Sequence, residues 1–297
     1  MLSLPIRNLF IEGPDCSGKT TLVRSIHQES NYRWHVFDRS QISRHIFSKL
    51  YERKNNLFDL HLELANLNNV YIILLPELSV IEKRFADRGD EIHDLNSIKE
   101  VYHAYQGSIK SFENFPNVHV ISEEDPDIKD IVQNLCDYEK ISWDEIAQDV
   151  EKFVDNTPRR ESYPFEFTVY DTGEFQAVDE EILNYAPEQE YYRKIRSDFI
   201  DKIENELSGN NKYKHAEGDH SRRFVYSDEE CISFLQVANR HHAMDFHCVL
   251  RSSNVRDLLA YDLKFLYFLA RHCYQLVAHK GVRVRFRVKL NSAHILE

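Results

Sequence analysis

Two groups of residues in this chain have types and spacings that could do chemistry. The first begins with Gly13-Pro14-Asp15-Cys16-Ser17-Gly18-Lys19-Thr20, a full match to GxxxxGK[ST], followed by Thr21 and later by Asp38-Arg39-Ser40, Arg84 and Arg88. In such a loop, small residues let consecutive backbone N–H groups curl around phosphate oxygens, and the N-terminus of the next helix adds positive potential. The lysine, here Lys19, reaches the terminal phosphates, and the hydroxyl of Thr20 can ligate Mg2+. The competing reading, a chance glycine-rich turn, is weakened by the apolar run before the motif and the helical pattern after it. The second group is Cys231, Gln236, Arg251, Ser252, Asn254 and Asp262, flanked by Arg222-Arg223 and by His294. A cysteine near arginines can become a nucleophilic thiolate, and arginines clamp phosphates bidentately.

The elements that must hold these groups follow from hydrophobic periodicity. Through about residue 136, apolar runs alternate with helical patterns, the rhythm of a parallel sheet with helices on both faces. Strands are expected at Asn8 to Glu12, Trp34 to Phe37, Val70 to Leu75 and Val118 to Ile121. Helices are expected at Lys19 to Gln28, Gln41 to Lys54, Leu78 to Asp87, Asn96 to Asn114 and Asp127 to Cys136. Composition turns polar and acidic from Tyr138 to Pro164, which places a domain boundary near Glu139 and divides the chain into 1–138 and 139–297. The second part is expected to be α+β, with a helix near Trp143 to Val154 and a strand at Phe165 to Tyr170. A helix around Glu188 to Leu207, strands at Cys231 to Val237 and Met244 to Arg251, a helix at Tyr261 to Val277 and a strand at Val282 to Lys289 follow.

Composition narrows the function classes. At 297 residues, 42% hydrophobic and 29% charged, the chain suits two ordinary folded domains and not a disordered one. A formal charge of -12 argues against a broad grip on nucleic acid, although a local basic groove is compatible with it. No apolar run reaches membrane-spanning length and no cleavable signal pattern opens the chain, so a cytoplasmic protein is expected. The five cysteines lack paired CxxC spacing, which indicates neither a disulfide frame nor a zinc site.

The stretch from Phe10 through the loop resembles the start of thymidylate kinase and related nucleoside and nucleoside-monophosphate kinases. Asp38-Arg39-Ser40 is similar to that family's DR motif, whose acid assists Mg2+ or the acceptor and whose arginine contacts phosphate. Glu82 to Glu91, with Arg84 and Arg88, is similar to the family's lid, whose arginines close on the transferring group. The resemblance implies a P-loop kinase sheet, ATP and Mg2+ as cofactors, Gly13 to Thr21 as the ATP site, and Thr20 with Asp38 at the metal. One departure concerns the acceptor: only Thr21 to Phe37 separates the loop from the DR motif, where the family has its monophosphate-binding segment. Taken singly, Arg84 and Arg88 read as a solvated helix face and Asp38 as a strand-end cap.

Cys231 to Gln236, Arg251 to Asn254 and Leu259 to Leu263 together resemble thymidylate synthase and the pyrimidine hydroxymethylases. The resemblance implies a nucleophilic Cys231 adding to C6 of a pyrimidine and phosphate contacts from Arg251 and Ser252. It also implies Arg222 and Arg223 lent to a partner subunit, a sugar contact near His294, and methylenetetrahydrofolate as one-carbon donor. Asp262 stands where uracil-using members place Asn, which favours cytosine because its amino donor needs an acceptor opposite. Departures are the missing Pro before Cys231, Ala260 for a Pro, Asn254 for an Asp, Leu296 for a Tyr, and no clear folate-contacting segment. The plainer readings are a buried small Cys231, a hairpin turn at His241 and His242, core packing for Phe265, Tyr267, Phe268 and Tyr274, and a solvated or subunit-facing edge for Arg283, Arg285 and Arg287.

The sequence therefore leads to an α/β fold with a P-loop kinase domain and an α+β thymidylate synthase-like domain. Its expected function is ATP-dependent phosphoryl transfer to a nucleoside or nucleotide, fused to a homodimeric domain that binds or modifies a pyrimidine nucleotide. Two alternatives stand beside it: a kinase with a non-catalytic pyrimidine-reading domain, and a kinase acting on a hydroxymethylated base in DNA.

Overall fold

A computed structural model describes residues 2–54, 57–88, 94–157, 159–162, 164–171, 189–207, 224–227, 229–240, 243–277 and 283–296. It is a mixed α/β chain that forms two compact units. One is Ile6–Glu139; the other combines Lys140–Glu297 with Met1–Pro5. The first five residues, counted with the N-terminal domain above, thus belong to the second unit. The reason is that β1 (Leu2–Ser3) completes that unit's sheet, pairing antiparallel with β6 (Lys140–Ile141) and β8 (Phe165–Asp171).

The first unit has a parallel sheet of β2 (Asn8–Glu12), β3 (Val36–Asp38), β4 (Asn69–Leu74) and β5 (Val118–Ile121), in the order β3-β2-β4-β5. Alternation along β2 sends Leu9 and Ile11 to one face, where they join Val70, Ile72 and Leu74 in a core closed by α1 (Lys19–Glu29) and α6 (Ile128–Tyr138). Phe10 and Glu12 take the other face, with Phe10 stacked on Tyr71 at 5.0 Å and Glu12 meeting α2 (Gln41–Leu50) and α5 (Leu95–Ile109). The helix expected to run to Lys54 stops at Leu50, and Glu52 adopts a left-handed φ of 48°. A further helix, α3 (Leu57–Leu64), follows before β4, and α4 (Leu78–Arg88) follows β4.

At the end of α6, Glu139 is buried and accepts hydrogen bonds from the Ile6 N–H and the Trp34 indole, each at 3.0 Å, and from Arg33. This carboxylate ties the first and last residues of the unit to the core tryptophan.

In the second unit, α7 (Trp143–Asp155) starts with a capping box made by Ser142 and Glu145. Its seven-stranded sheet also contains β9 (Phe224–Ser227), β10 (Ile232–Arg240), β11 (Ala243–Leu250) and β13 (Arg283–Leu290), in the order β6-β1-β8-β13-β11-β10-β9. The β11–β13 pair is parallel and the others are antiparallel. The three helices α7, α8 (Gln189–Leu207) and α9 (Leu259–Val277) cover one face: Trp143 and Tyr267 meet Phe286 at 5.3 and 5.6 Å, and Phe199 meets Phe246 at 6.3 Å. The other face carries Asp245, gripped by both ends of the Arg285 guanidinium at 2.5 and 2.7 Å. Short β7 (Glu161–Ser162), β12 (Ser253–Asn254) and β14 (Ala293–His294) form a second sheet. Among the described residues no helix is long and apolar enough to cross a membrane.

Glu139→Ala should destabilise the first unit by about 2 kcal/mol, because a buried indole and a backbone N–H lose their acceptor. The exposed partner change Arg33→Ala should cost less than about 1 kcal/mol. Urea unfolding followed by Trp34 fluorescence in a Trp143→Phe background checks both, and equal effects would contradict the assignment.

Candidate functional site

The loop from Gly13 to Ser17 leaves the C-terminal end of β2 and enters α1 at Gly18. At Gly13, with φ 137°, an added Cβ would sit 2.3 Å from the Leu74 carbonyl oxygen, so only glycine lets β4 pass this closely. Gly18, at φ 101°, is the N-cap of α1 and no side chain caps that helix. The first-turn N–H groups of α1 therefore have no acceptor from an N-cap side chain, the state in which a helix end attracts an anion. Two non-glycine residues here, Cys16 (φ 62°) and Arg39 (φ 76°), also take left-handed backbone, at a strain of roughly 1 kcal/mol or more each.

Three cationic side chains surround the loop. Lys19, 7% exposed, donates to the carbonyls of Gly13 at 2.9 Å and Pro14 at 2.7 Å, with Asp15 at 3.8 Å. Burial pulls its pKa below the ordinary lysine value, opposed chiefly by Asp15. Arg39 bonds Asp15 at 2.7 Å, and Arg84 donates to the Ser17 carbonyl at 2.9 Å and the Glu124 carbonyl at 2.8 Å. Among the described residues the buried Ser17 hydroxyl has no hydrogen-bond partner. Thr20 and Thr21 are exposed on the first turn of α1, Asp38 is exposed at the end of β3, and Arg88 is exposed on the last residue of α4. The structure thus brings together Asp15, Ser17, Lys19, Arg39 and Arg84, with Arg88 one helical turn beyond. The rest of the expected lid, residues 89–91, lies outside the described residues.

The residue that organises this group was not singled out from sequence. Glu12, fully buried, accepts from the Ser40 N–H at 2.5 Å and hydroxyl at 2.6 Å, from the Ser43 N–H at 3.3 Å and hydroxyl, and from the Tyr105 hydroxyl at 2.8 Å. Burial, then the neighbouring Glu12, raise the Tyr105 pKa, so its hydroxyl stays a donor. Ser40 also caps α2, accepting from the Ile42 N–H at 3.0 Å. One carboxylate therefore fixes the Asp38-Arg39-Ser40 segment beside the residue that begins the loop.

Among the described residues no three His, Cys, Asp or Glu side chains are grouped to hold a metal ion. Mg2+ carried on a nucleotide needs only one or two protein oxygens, which the Thr20 hydroxyl and Asp38 could supply. A separate cavity of about 470 Å³ at β5 and α6 is lined by Glu123, Asp125, Asp127 and Asp130, whose charge opposes a phosphate.

In the second unit the expected residues fall into several small groups. The backbone carbonyl of Cys231, half-buried just before β10, accepts from the Arg251 N–H at 2.7 Å across the β10–β11 hairpin, and the Arg251 guanidinium donates to the Glu229 carbonyl at 2.6 Å. Ile232 donates its N–H to the Tyr191 hydroxyl at 2.7 Å. Asp262, 3% exposed, accepts from the Tyr192 hydroxyl at 2.8 Å on one oxygen and from the Ser253 hydroxyl at 3.0 Å on the other. Asn254 donates to Asp257 at 2.7 Å and pairs with His294 between β12 and β14, while Ser252 is half-buried. Gln236 stands half-buried on β10, opposite His247. Tyr191 and Tyr192, adjacent on α8, were missed; a tyrosine pair on a helix carries no signal of its partners. Arg222, Arg223, His241 and His242 lie outside the described residues.

No protein-family model and no curated protein matches the chain.

Glu12→Ala should lower the stability of the first unit by about 3 kcal/mol, because buried donors on α2 and α5 lose an ionic acceptor. Glu12→Gln, which keeps an acceptor oxygen, should lose less. A loss under about 1 kcal/mol in Glu12→Ala, in the same fluorescence-detected unfolding, would show that the carboxylate does not hold the segment.

Proposed function

We propose that the first unit is an ATP-dependent phosphotransferase of the nucleotide-kinase type. The observation that carries this reading is the convergence of Lys19, Arg39 and Arg84 on an uncapped helix N-terminus at the C-terminal end of a parallel sheet. ATP with Mg2+ would supply the transferable phosphoryl group, and the Thr20 hydroxyl and Asp38 carboxylate would hold the ion. The unpartnered Ser17 hydroxyl and the α1 N-terminus fit an oxyanion.

Lys19 would exchange two loop carbonyls for phosphate oxygens, which are stronger partners for an ammonium group. Arg39 and Arg84 would neutralise charge spread over the group in flight, the usual main source of rate in phosphoryl transfer.

For the second unit we propose a thymidylate synthase or hydroxymethylase-like domain that binds a pyrimidine nucleotide, with Cys231 as the adding thiolate and methylenetetrahydrofolate as donor. A second reading is a non-catalytic pyrimidine-reading domain; in either version a cytosine amino group would share Asp262 with the Tyr192 and Ser253 hydroxyls that its two oxygens already accept from.

Lys19→Met should abolish ADP formation while leaving the unfolding midpoint unchanged or raised, since it removes a charge held below its ordinary pKa by burial. Activity within tenfold of the parent would contradict the phosphotransferase reading. In the second unit, a 5-fluoropyrimidine deoxynucleotide with methylenetetrahydrofolate should add one covalent adduct to the intact mass, absent in Cys231→Ser. An unchanged mass would reject the transferase version and leave the non-catalytic one.

A further inference from the structure

Helices cover one face of the second unit's seven-stranded sheet, and alternate residues of its strands build the opposite face. Arg283, Arg285, Arg287 and Lys289 all stand on that face of β13, because Val284, Phe286, Val288 and Leu290 between them are buried on the helix side. The sequence suggested a solvated or subunit-facing edge for these arginines, but β13 is the middle strand of the seven. Arg283 and Arg287 are exposed and Arg285 and Lys289 half-buried, in a chain whose formal charge is -12. Like charges at alternate positions of a strand are roughly 7 Å apart and repel one another. Among the described residues of the neighbouring strands, Asp245 is already bound to Arg285, and Glu166 is exposed opposite Lys289. Four cations against these two acids leave a local positive field on an acidic chain.

Flat rings flank that row. Phe234 on β10 and Tyr170 on β8 are half-buried on the same face, on opposite sides of β13, and Phe234 meets the His247 ring of β11 at 5.8 Å with planes 71° apart. His247 is in register with Arg287, and Tyr170 with Arg285. A face built only to be solvated mixes charges of both signs and has no use for a half-exposed phenyl ring. Cations interleaved with aromatic rings on a sheet suit a ligand that carries both negative charge and flat apolar groups.

We infer that this face binds single-stranded nucleic acid, with phosphates over the cations of β13 and unpaired bases stacked on Phe234 and Tyr170. The other candidate occupant is a second copy of the chain, and charge opposes it: pairing two such faces would double the excess of cations with no acid to offset it. A duplex keeps its base faces inside its own stack, whereas a single strand offers a phosphate and a free π-face at every nucleotide. The inference does not depend on the activity proposed for either unit.

The test is fluorescence anisotropy of a labelled twenty-nucleotide oligo(dT) titrated with the full chain at several salt concentrations. Binding should weaken with salt along a log–log slope of about -2 to -3, the value for three or four phosphates on a single strand. Unlabelled duplex of the same length, and polyglutamate, which offers charge without bases, should each compete at least tenfold less well than unlabelled oligo(dT). Arg287→Ala, at an exposed position, should weaken binding at least fivefold and make the slope shallower by about 0.7. Phe234→Leu should weaken it at least threefold without changing the slope, Phe234→Tyr should restore it, and Arg53→Ala on the first unit should leave it unaltered. Unfolding midpoints equal to the parent's show that these changes act on binding and not on the fold. The inference is overturned by no binding at low salt, by equal competition from duplex or polyglutamate, or by parental affinity in both Arg287→Ala and Phe234→Leu. A dimer in sedimentation velocity that Arg287→Glu dissociates would assign the face to a second copy and overturn it as well.

Discussion

Glu12 is the hinge of the first unit's architecture. A carboxylate in a fully buried position is tolerated only when its oxygens are well supplied with donors. Here the donors come from Ser40 and Ser43 at the start of α2 and from Tyr105 on α5. Because Glu12 directly precedes Gly13, satisfying that charge also sets where the loop begins and where Arg39 is presented. The left-handed backbone of Arg39, anchored through its N–H to the Ile11 carbonyl at 2.9 Å, is the strained consequence of delivering a guanidinium group to the same spot.

The electrostatics follow from that arrangement. Lys19 is folded back on loop carbonyls and Arg84 on the Ser17 carbonyl, so cations that would otherwise repel one another are satisfied by dipoles of the loop they surround. An oxyanion would be a better partner than a carbonyl dipole, and the proposed phosphotransferase reading requires that exchange. In the second unit Asp262 is satisfied internally in the same manner, serving the hydroxyls of Tyr192 and Ser253.

Much of the fold was legible in sequence because period-2 and period-3.6 patterns survive without long-range knowledge. Asn8 to Glu12 and Val118 to Ile121 form strands over the expected residues, and α7 starts at Trp143 behind a capping box. What was not legible depends on distant partners. Glu12 looks like an ordinary polar residue at a strand end, and the donors that make it central are 28 to 93 residues away. The short strand β1 is invisible without β6 and β8 to pair with, which is why the first five residues were placed in the wrong unit. The helix written through Lys54 ends early at Leu50, with no glycine or proline to announce it, and that turn positions Arg53 against Tyr51.

A structure of the chain with a non-hydrolysable ATP analogue and Mg2+ tests the central claim most directly. The account requires triphosphate oxygens within hydrogen-bonding distance of the backbone N–H groups of Gly18 and Lys19, with the Lys19 ammonium moved from the Gly13 and Pro14 carbonyls onto phosphate. An analogue bound elsewhere, or a loop that stays closed with Lys19 still on its own carbonyls at saturating ligand, would contradict it.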